Sequence, residues 1–578
     1  MTNLRLCQRL STHVAKVGCL LESAITYEPP CPAHIWKCMS PTSSPSSRVV
    51  PVAWLILVVA VVAGALWWWR IGRPVPLPDA PTARIACVSY APFRKPGETP
   101  LDPHAFVTPE RIDADLKALS ERFDCVRTYS QSFGLNVVPQ IAQKYGMKVL
   151  MGIWLGRDKK FNDNEVAMGI ATAKAHPEVI RGVIVGNEVL LRGEQSPDAL
   201  LGYARQVRDA LKGVHVPVTY ADVWEFWLRY PQMADAVDYI TIHILPYWED
   251  EPVPPEAAVQ HVADVYARMK ARFPGRAVMI GETGWPSSGR TRREASASLV
   301  NEARYLRDFL RYAGSVDMPY NVIEAFDQPW KRAQEGTVGG YWGIFDVNAK
   351  PKFGMQGPVT EEPDWIVGWY AGAAGAVLFL LAGFWRRELG NPRSRSALAM
   401  AGFATATSIA WQCRRMIYDC RNQLEWVFSG LLCALALLSA VYLARRIAAR
   451  LAGAAIPLPD RRLRFLWMFG LAFYDLLMVF DGRYRDFPLG LFWPTAVGFL
   501  IASLMETRSQ CVVPVIEERF IACALPLLAA VVVAQEIGLN PSTWLWLGVN
   551  LATAGAVMIE WRRAGRRLQA NQPQAAYQ

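Results

Sequence analysis

Apolar residues occur along this chain in two patterns. Residues 49–69, VVPVAWLILVVAVVAGALWWW, form one unbroken apolar stretch, and further long apolar blocks recur between residues 366 and 560. A helix of about 20 apolar residues is long enough to cross the hydrocarbon core of a bilayer. The pattern predicts one N-terminal span at 49–69 and seven C-terminal spans, at 366–385, 397–412, 425–443, 465–480, 488–504, 520–535 and 543–560.

Between residues 70 and 365 the apolar runs are much shorter and alternate with amphipathic stretches such as TPERIDADLKALSERF (108–123). The short runs predict eight strands, and the stretches between them have helical spacing. Apolar strands that alternate with helices indicate a parallel sheet covered on both faces. The predicted strands are 84–90, 125–129, 148–154, 182–187, 216–221, 237–243, 277–282 and 320–326.

Eight such strands in a domain of about 250 residues predict an α/β fold of the (β/α)8 TIM barrel type. An open doubly wound sheet is the alternative, but no GxGxxG or GxxxxGK motif follows an early strand. Proline-rich linkers at 73–82 and 357–364 mark the edges of this domain. The predicted organisation is a cytoplasmic N-terminus at 1–48, a transmembrane signal anchor at 49–69, the (β/α)8 domain at 82–357, a multi-span membrane domain at 366–560 and a cytoplasmic tail at 561–578.

The first 38 residues contain four of the eleven cysteines and have no clear periodicity. A start at Met39 would instead leave a short polar lead before the first span, which is the usual form of an uncleaved signal anchor. Met39 is therefore an alternative start, which would leave residues 1–38 untranslated.

Arginine placement predicts the orientation of the spans, because short cytoplasmic loops carry excess Lys and Arg. Arginine clusters follow the second, fourth and eighth predicted spans, which all end on one side. That side is predicted to be cytoplasmic, and residues 70–365 are predicted to be translocated. These clusters also account for the net charge of +10. The excess of basic over acidic residues therefore does not indicate nucleic-acid binding.

Cysteine and histidine spacing gives no support to a metal site, and we predict no metal and no cofactor. Cys87 and Cys125 are the two cysteines of the predicted barrel, and both lie in predicted strands. Buried free thiols are the favoured interpretation for this pair, and a disulfide is the alternative.

Two glutamates stand at the ends of predicted strands. Glu188 follows the fourth strand, and Glu282 ends the seventh. The active site of such a barrel lies at the C-terminal ends of its strands, so both carboxylates are expected at one mouth. Either glutamate alone would fit a solvated loop residue or a first-turn helix residue. Together they match glycoside hydrolysis, which needs one acid to protonate the leaving oxygen and one carboxylate to attack or stabilise the reacting carbon.

Polar and aromatic residues follow several of the same strand ends, where rings can stack on sugars and polar groups can bond hydroxyls. His243 and Tyr247 fit a packing role equally well, and Asp222 is a weaker candidate. Arg127, an inward charge on the second strand, is predicted to pair with a barrel carboxylate. The predicted substrate-binding residues are Asn187, Tyr129, His243, Tyr247, Trp285, Glu324, Trp330 and Lys331.

The stretches VIVGNEVL and MIGETGWPSSG closely resemble the acid and nucleophile motifs of glycoside hydrolase family 17. VRTYS, EAFDQPWK (324–331) and GYWGIFDVNAKPKF (340–353) add to this resemblance, which covers residues 84–354. The family consists of retaining β-1,3-glucan-active (β/α)8 enzymes. The resemblance implies that Glu188 is the acid/base, that Glu282 is the nucleophile, and that their carboxyl groups lie about 5 Å apart.

The appended spans make the chain similar to proteobacterial members of the family that make or remodel periplasmic β-glucans. This implies a multi-pass protein of the bacterial inner membrane with its catalytic domain in the periplasm. The predicted function is a retaining glucanosyltransferase that cleaves β-1,3-glucan and transfers the product to a sugar. Its expected partners are β-glucan and membrane lipid, with a glucan synthase as a further candidate. An endo-β-1,3-glucanase and a non-catalytic glucan-binding or export scaffold are the alternatives.

Two polar residues, Asp475 and Asn550, lie inside predicted spans. A carboxylate is costly within a membrane and is by default a functional candidate. The alternative is a polar contact between spans. Two roles are open for the C-terminal spans as a whole: they dock a glucan synthase, or they line an export path.

Overall fold

The computed structural model describes residues 49–384, 391–452, 461–506 and 513–570. The predicted cytoplasmic N-terminus, the alternative start at Met39, the arginines at 386 and 387 and the end of the tail lie outside the described residues.

Seven strands form one sheet in which every neighbouring pair is parallel and the order follows the chain. This sequential order excludes the doubly wound alternative, in which the strand order reverses within the sheet. The strands are β1 (Val88–Ser89), β2 (Cys125–Arg127), β3 (Lys148–Ile153), β4 (Ile180–Asn187), β5 (Val218–Val223), β6 (Ile240–His243) and β7 (Val278–Glu282).

The predicted eighth strand takes the form of isolated parallel bridges. Tyr320 bridges Ile280 of β7, and Val322 bridges Val88 of β1. The Ser89 N–H donates to the Val322 carbonyl at 2.9 Å, so this segment is hydrogen-bonded to the first strand as well as to the last. The curled parallel sheet is a TIM-like α/β fold.

Helices follow the strands, as the amphipathic spacing predicts. Four of them begin at a polar side chain that accepts a hydrogen bond from the first helical turn: Thr108, Asp158, Ser196 and Ser298. The helices of this domain are α2 (Pro109–Ser120), α3 (Val138–Lys144), α4 (Lys159–Ala175), α5 (Pro197–Ala210), α6 (Trp224–Arg229), α7 (Ala258–Arg272), α8 (Leu299–Ser315) and α9 (Arg332–Glu335).

Cys87 and Cys125 form a disulfide, so the expectation of free thiols is wrong. Cys125 begins β2, Cys87 directly precedes the neighbouring parallel strand β1, and their Cα atoms are 4.3 Å apart. Both side chains point into a small buried cluster with Leu150, Ile184 and Met279. Strand prediction places both cysteines in the interior, but only the pairing of β1 with β2 brings their sulfur atoms together.

Glu165 of α4 holds the loops that follow β2 and β3. Its buried carboxylate accepts hydrogen bonds from the Gln131 N–H at 2.9 Å, the Ser130 hydroxyl at 2.8 Å and the Trp154 N–H at 3.0 Å. A buried carboxylate with several donors fixes backbone that would otherwise be free to move. Two loops at the C-terminal end of the sheet are thereby fixed to one helix.

A helix lies at each of the eight positions predicted to span a membrane. Among the described residues, five helices are long and apolar enough to cross a bilayer by length and composition, at Val50–Ile71, Ile366–Phe384, Gln423–Leu451, Arg461–Tyr484 and Pro541–Arg566, and Leu489–Met505 is a shorter apolar helix. The eight-span count stays a prediction. The helices are α1 (Val49–Ile71), α10 (Ile366–Phe384), α11 (Pro392–Asp419), α12 (Gln423–Leu451), α13 (Arg461–Asp481), α14 (Leu489–Met505), α15 (Ile516–Gln535) and α16 (Pro541–Ala570).

The seven helices α10 to α16, here called the bundle, pack mainly against one another. Within it Asp475 accepts hydrogen bonds from Trp546 Nε1 at 2.7 Å and from Asn550 Nδ2 at 3.3 Å. Both polar residues of the predicted spans are therefore joined in one buried contact between α13 and α16. This is the arrangement that the polar-contact alternative predicts.

The C-terminal end of the sheet faces the bundle. Arg290, in the loop after β7, forms an ion pair with Glu536 between α15 and α16 at 2.6 Å. Arg332, which follows the eighth segment, donates to the backbone carbonyl of Tyr418 at the end of α11 at 2.7 Å. Loops at the mouth of the TIM-like domain thus rest on the loops that join bundle helices.

Candidate active site

Glu188 and Glu282 meet at the C-terminal end of the sheet. Glu282 is the last residue of β7, and Glu188 directly follows β4. A carboxylate oxygen of each and a ring nitrogen of His243 all lie within 4.8 Å of one another. This separation of the carboxylates is close to the value of about 5 Å typical of retaining glycosidases.

The backbone around Glu188 turns sharply as β4 ends. Gly186 has φ 83° and Glu188 has φ 52°, both in the left-handed region. A Cβ on Gly186 would lie 2.7 Å from the Val189 side chain, so no larger residue fits there without movement. The turn leaves Glu188 half-buried, whereas Glu282 is buried with about 4% of its surface exposed.

Glu282 is held in its ionised form by its neighbours. Arg127 Nη1 lies 2.8 Å from Glu282 Oε1, and the Tyr129 hydroxyl donates to the same oxygen at 2.9 Å. Burial alone would raise the pKa of Glu282, but His243, Arg127, Tyr129 and Lys331 together lower it below its ordinary value. An ionised carboxylate is what a nucleophile requires. The prediction that Arg127 pairs with a barrel carboxylate is confirmed.

Glu188 has the opposite environment. Burial, the charge of Glu282 and the charge of Asp222 raise its pKa from 4.5 to about 8, against smaller opposing effects of Arg192 and Arg127. The carboxyl group therefore keeps its proton at neutral pH. Two carboxyl groups whose pKa values are pushed apart in one mouth divide the acid and nucleophile roles between them.

Asn187 is positioned by two donors on its side-chain oxygen. Arg127 Nη2 donates to Asn187 Oδ1 at 2.5 Å, and His243 Nε2 lies 3.0 Å from the same atom. Burial lowers the pKa of His243 to about 4, so its ring is neutral at pH 7. Since Oδ1 only accepts, Nε2 carries the proton, and the amide NH2 of Asn187 remains available to donate to a substrate hydroxyl.

Glu324, Trp330 and Lys331 form a second group beside this pair. Lys331 Nζ lies 2.7 Å from Glu324 Oε2, and Trp330 Nε1 donates to Gln328 Oε1 at 2.8 Å. Burial raises the pKa of Glu324 to about 7, although Lys331 opposes that rise. Trp330 and Lys331 are partly exposed, so both can contact a ligand.

Two predicted sugar-binding aromatics are not at the mouth. Trp285 is 1% exposed and Tyr247 is fully buried, and their rings pack edge to face at 5.7 Å. Their polar atoms donate to backbone carbonyls, of Ser296 and Arg290 respectively. The expectation that these rings stack on a sugar is therefore corrected: the loop after β7 folds back and buries them under the mouth.

Several residues that sequence reasoning ranked low or missed support the site. Asp222, a weaker candidate, is fully buried and accepts from the Leu190 N–H at 3.2 Å, which secures the turn after Glu188. The Ser89 hydroxyl donates to the Tyr129 oxygen at 2.9 Å, since the Tyr129 proton is donated to Glu282. Trp154 ends the predicted strand 148–154 and is partly exposed. Aromatic residues at strand ends are candidate sugar-binding residues, and the same criterion would have selected Trp154.

The cluster of Glu188, His243 and Glu282 is also compact enough to hold a metal ion. Within the described residues, however, Glu282 Oε1 and His243 Nε2 already bond Arg127, Tyr129 and Asn187. Protein groups thus supply the charge and hydrogen bonds that a cation would supply. The absence of a metal and of a cofactor stays a prediction.

A TIM-like fold with two carboxyl groups of opposite pKa shift at the ends of β4 and β7 has the acid and the nucleophile that a retaining glycosidase requires. Residues 87–343 match the family described as BtgE/BtgC glycoside hydrolase domain. This match confirms, for residues 87–343, the resemblance to the enzymes of glycoside hydrolase family 17.

Fungal proteins are among the relatives of this domain. A glucan 1,3-beta-glucosidase of Arthroderma benhamiae is 26% identical over 274 residues, which are 44% of this chain and 86% of the relative. A protein of the same name from Schizosaccharomyces pombe is 26% identical over 261 residues, 42% of this chain and 79% of the relative. An active-site mutant of a Rhizomucor miehei beta-1,3-glucanosyltransferase, solved with laminaritriose, is 26% identical, covers 46% of this chain and 95% of its own, and has a TM-score of 0.41.

The opposite pKa shifts predict opposite effects on stability. Glu188 has a raised pKa, so between pH 4.5 and 8 the unfolded chain ionises there more readily and the fold is destabilised. Glu188→Gln should raise the Tm of the full chain at pH 8 by an amount on the order of 2–4 °C and have little effect at pH 4.5. Glu282 has a lowered pKa and stabilises the fold above pH 4.5, so Glu282→Gln should lower the Tm at pH 7. Thermal unfolding of both variants across this range measures the difference, and shifts of the same sign would contradict the assigned environments.

Proposed function

We propose that the protein is a membrane-anchored retaining enzyme that cleaves β-1,3-glucan and transfers the glucanosyl group to a sugar acceptor. One observation carries this proposal: the carboxylates of Glu188 and Glu282 lie within 4.8 Å of one another and have opposite pKa shifts. The β-1,3-glucan substrate is inferred from the names of the fungal relatives.

In the first step Glu282 attacks the anomeric carbon while Glu188 donates its proton to the leaving oxygen. The glycosyl–enzyme bond to Glu282 forms as the glycosidic bond breaks. Glu188 is then ionised and removes the proton from an acceptor hydroxyl, whose oxygen attacks the same carbon and releases Glu282. Asn187, held by Arg127, donates to a sugar hydroxyl beside the reacting carbon.

Further roles follow from position. Tyr129 and His243 orient Glu282 and Asn187 from beneath the mouth, while Trp330 and Lys331 are partly exposed and contact the substrate. Glu324 holds Lys331 through their ion pair.

The chain is organised as a signal anchor at 49–69, a catalytic domain at 82–357 and a multi-span domain at 366–560 of a bacterial inner membrane. Three features support a periplasmic catalytic domain. A disulfide joins Cys87 and Cys125, as is common outside the cytosol. The domain rests on the loops after α11, α13 and α15. Arginine clusters lie at the opposite ends of α11 and α13.

Two other functions share parts of this site. An endo-β-1,3-glucanase would use the same two glutamates and pass the glucanosyl group to water. A non-catalytic glucan-binding or export scaffold would need the exposed aromatics but not two carboxyl groups with opposite pKa shifts. A glucan synthase remains a candidate partner of the bundle.

Replacement of the nucleophile tests the proposal directly. Glu282→Gln should lower turnover of laminari-oligosaccharides by at least about a thousandfold, because an amide cannot form the glycosyl–enzyme bond. Product release from a labelled oligosaccharide measures the change, and circular dichroism checks the fold. The matched control is Glu178→Gln, which alters an exposed glutamate before β4 and should leave turnover unchanged. Substantial turnover by a folded Glu282→Gln variant would remove Glu282 as nucleophile.

Membrane orientation can be measured independently of catalysis. A reporter that is active only in the periplasm should be active when fused after Gln356 and silent when fused after Arg395, because the span at 366–385 separates the two positions. The reverse pattern would overturn the proposed placement of the catalytic domain.

Transfer and hydrolysis differ in what the glycosyl–enzyme reacts with. Trp330 is partly exposed beside Lys331 and can stack on an acceptor sugar, which keeps water from the glycosyl–enzyme. At millimolar oligosaccharide the protein should therefore form products longer than its substrate, and Trp330→Ala should shift the balance towards shorter products. Chromatographic sizing of the products measures this ratio. Release of shorter fragments alone at every donor concentration would support the glucanase instead.

A further inference from the structure

A cavity of about 310 Å³ lies where the loops after β6 and β7 meet the bundle. None of its lining residues belongs to the carboxylate site. Four arginines line it, three from the TIM-like domain and one from the bundle: Arg290, Arg292, Arg293 and Arg483.

Three carboxylates also line the cavity, and each of them pairs with an arginine other than Arg292 and Arg293. Glu536 lies 2.6 Å from Arg290 Nη2 and accepts from the Arg293 backbone N–H at 2.6 Å. Asp481 pairs with Arg485, which is not part of the lining, at 2.8 Å. The third, Asp250, is 96% exposed and lies 3.5 Å from Arg483. Throughout the described part of the chain, no carboxylate forms an ion pair with the side chain of Arg292 or Arg293.

Arg292 carries its charge in a costly place. It is buried, and its Nη1 donates to the Tyr247 carbonyl at 2.8 Å. The guanidinium groups of Arg292 and Arg483 lie 5.7 Å and 5.2 Å from the centre of the same Trp248 ring. Burial and the charge of Arg483 lower the pKa of Arg292 to about 10. Two like charges in a partly buried cavity destabilise each other unless an anion lies between them.

The cavity also has an apolar border on the bundle side. Val479 and Phe480, at the end of α13, line it, and the Phe480 side chain is 84% exposed. Ile537 and Leu539, which follow Glu536, are 58% and 42% exposed. Arginines beside exposed apolar side chains match a ligand with an anionic head and an apolar tail.

We propose that this cavity binds a phosphate group, which Arg292 and Arg293 contact through their guanidinium groups. Guanidinium forks match the geometry of phosphate oxygens and bind them through charge-assisted hydrogen bonds. The phosphate can come from a phospholipid headgroup or from a soluble phosphate compound. The lipid source rests on the membrane placement of the bundle proposed above, because only then does the cavity lie at the bilayer surface.

Binding to the delipidated full chain in detergent tests this site. Phosphatidylglycerol should bind saturably at one site per chain, and diacylglycerol, which has the same tail without phosphate, should bind at least ten times more weakly. Native mass spectrometry measures the bound lipid. Inorganic phosphate is the soluble probe: competition with the lipid at millimolar concentration indicates a shared site, and saturable binding of phosphate without lipid binding assigns a soluble source.

Variants locate the site. Arg292→Gln and Arg293→Gln should each weaken phosphatidylglycerol or phosphate binding at least tenfold. Arg293 is only half-buried, so its variant carries the test if Arg292→Gln does not fold. The matched control is Arg421→Gln, which removes an exposed arginine that pairs with Glu425 in the loop after α11. Equal binding by wild type and both variants, or binding of diacylglycerol as tight as that of phosphatidylglycerol, would overturn the proposal.

The two proposals fail separately. Lipid and phosphate binding are measured without glucan. If the wild-type protein does not turn over glucan, that result therefore counts against the proposed function alone. Normal turnover with no phosphate-bearing ligand bound would count against the cavity alone.

Discussion

The active site depends on one buried cation. Arg127 contacts Glu282 through one nitrogen and Asn187 through the other, so a single side chain on β2 joins the ends of β4 and β7. Its charge keeps Glu282 ionised in a buried position where an unpaired carboxylate would take up a proton. Glu188, which has no such partner among the described residues, is left close to a negative charge and keeps its own proton. The division of labour between two chemically identical side chains follows from which of them the arginine reaches.

The bundle limits how that site can be approached. Loops after β6, β7 and the eighth segment carry Trp248, Arg290 and Arg332, and all three contact loops between bundle helices. The bundle therefore closes the mouth on this side.

Strand ends were a good guide to the carboxylates and a poor guide to the aromatics. Glu188, Glu282 and Asn187 follow directly from the rule that the C-terminal ends of parallel strands meet at one mouth. Trp285 lies only three residues beyond Glu282, yet it is buried, because the loop after β7 turns back under Tyr247. Strand alternation gives the direction of a residue within a strand, whereas the path of a loop depends on the side chains it packs against.

The sequence by itself determined the eight helices at apolar positions, the succession of strands and helices, and the two glutamates with the motifs around them. These follow from local periodicity and from residues that are neighbours in the chain. Tertiary structure alone decided that Cys87 bonds Cys125, that Arg127 reaches both Glu282 and Asn187, and that Arg292 and Arg483 both lie against the Trp248 ring. Each of these contacts joins residues far apart in sequence, and its energy depends on distances and burial that exist only once the strands have paired and the loops have packed.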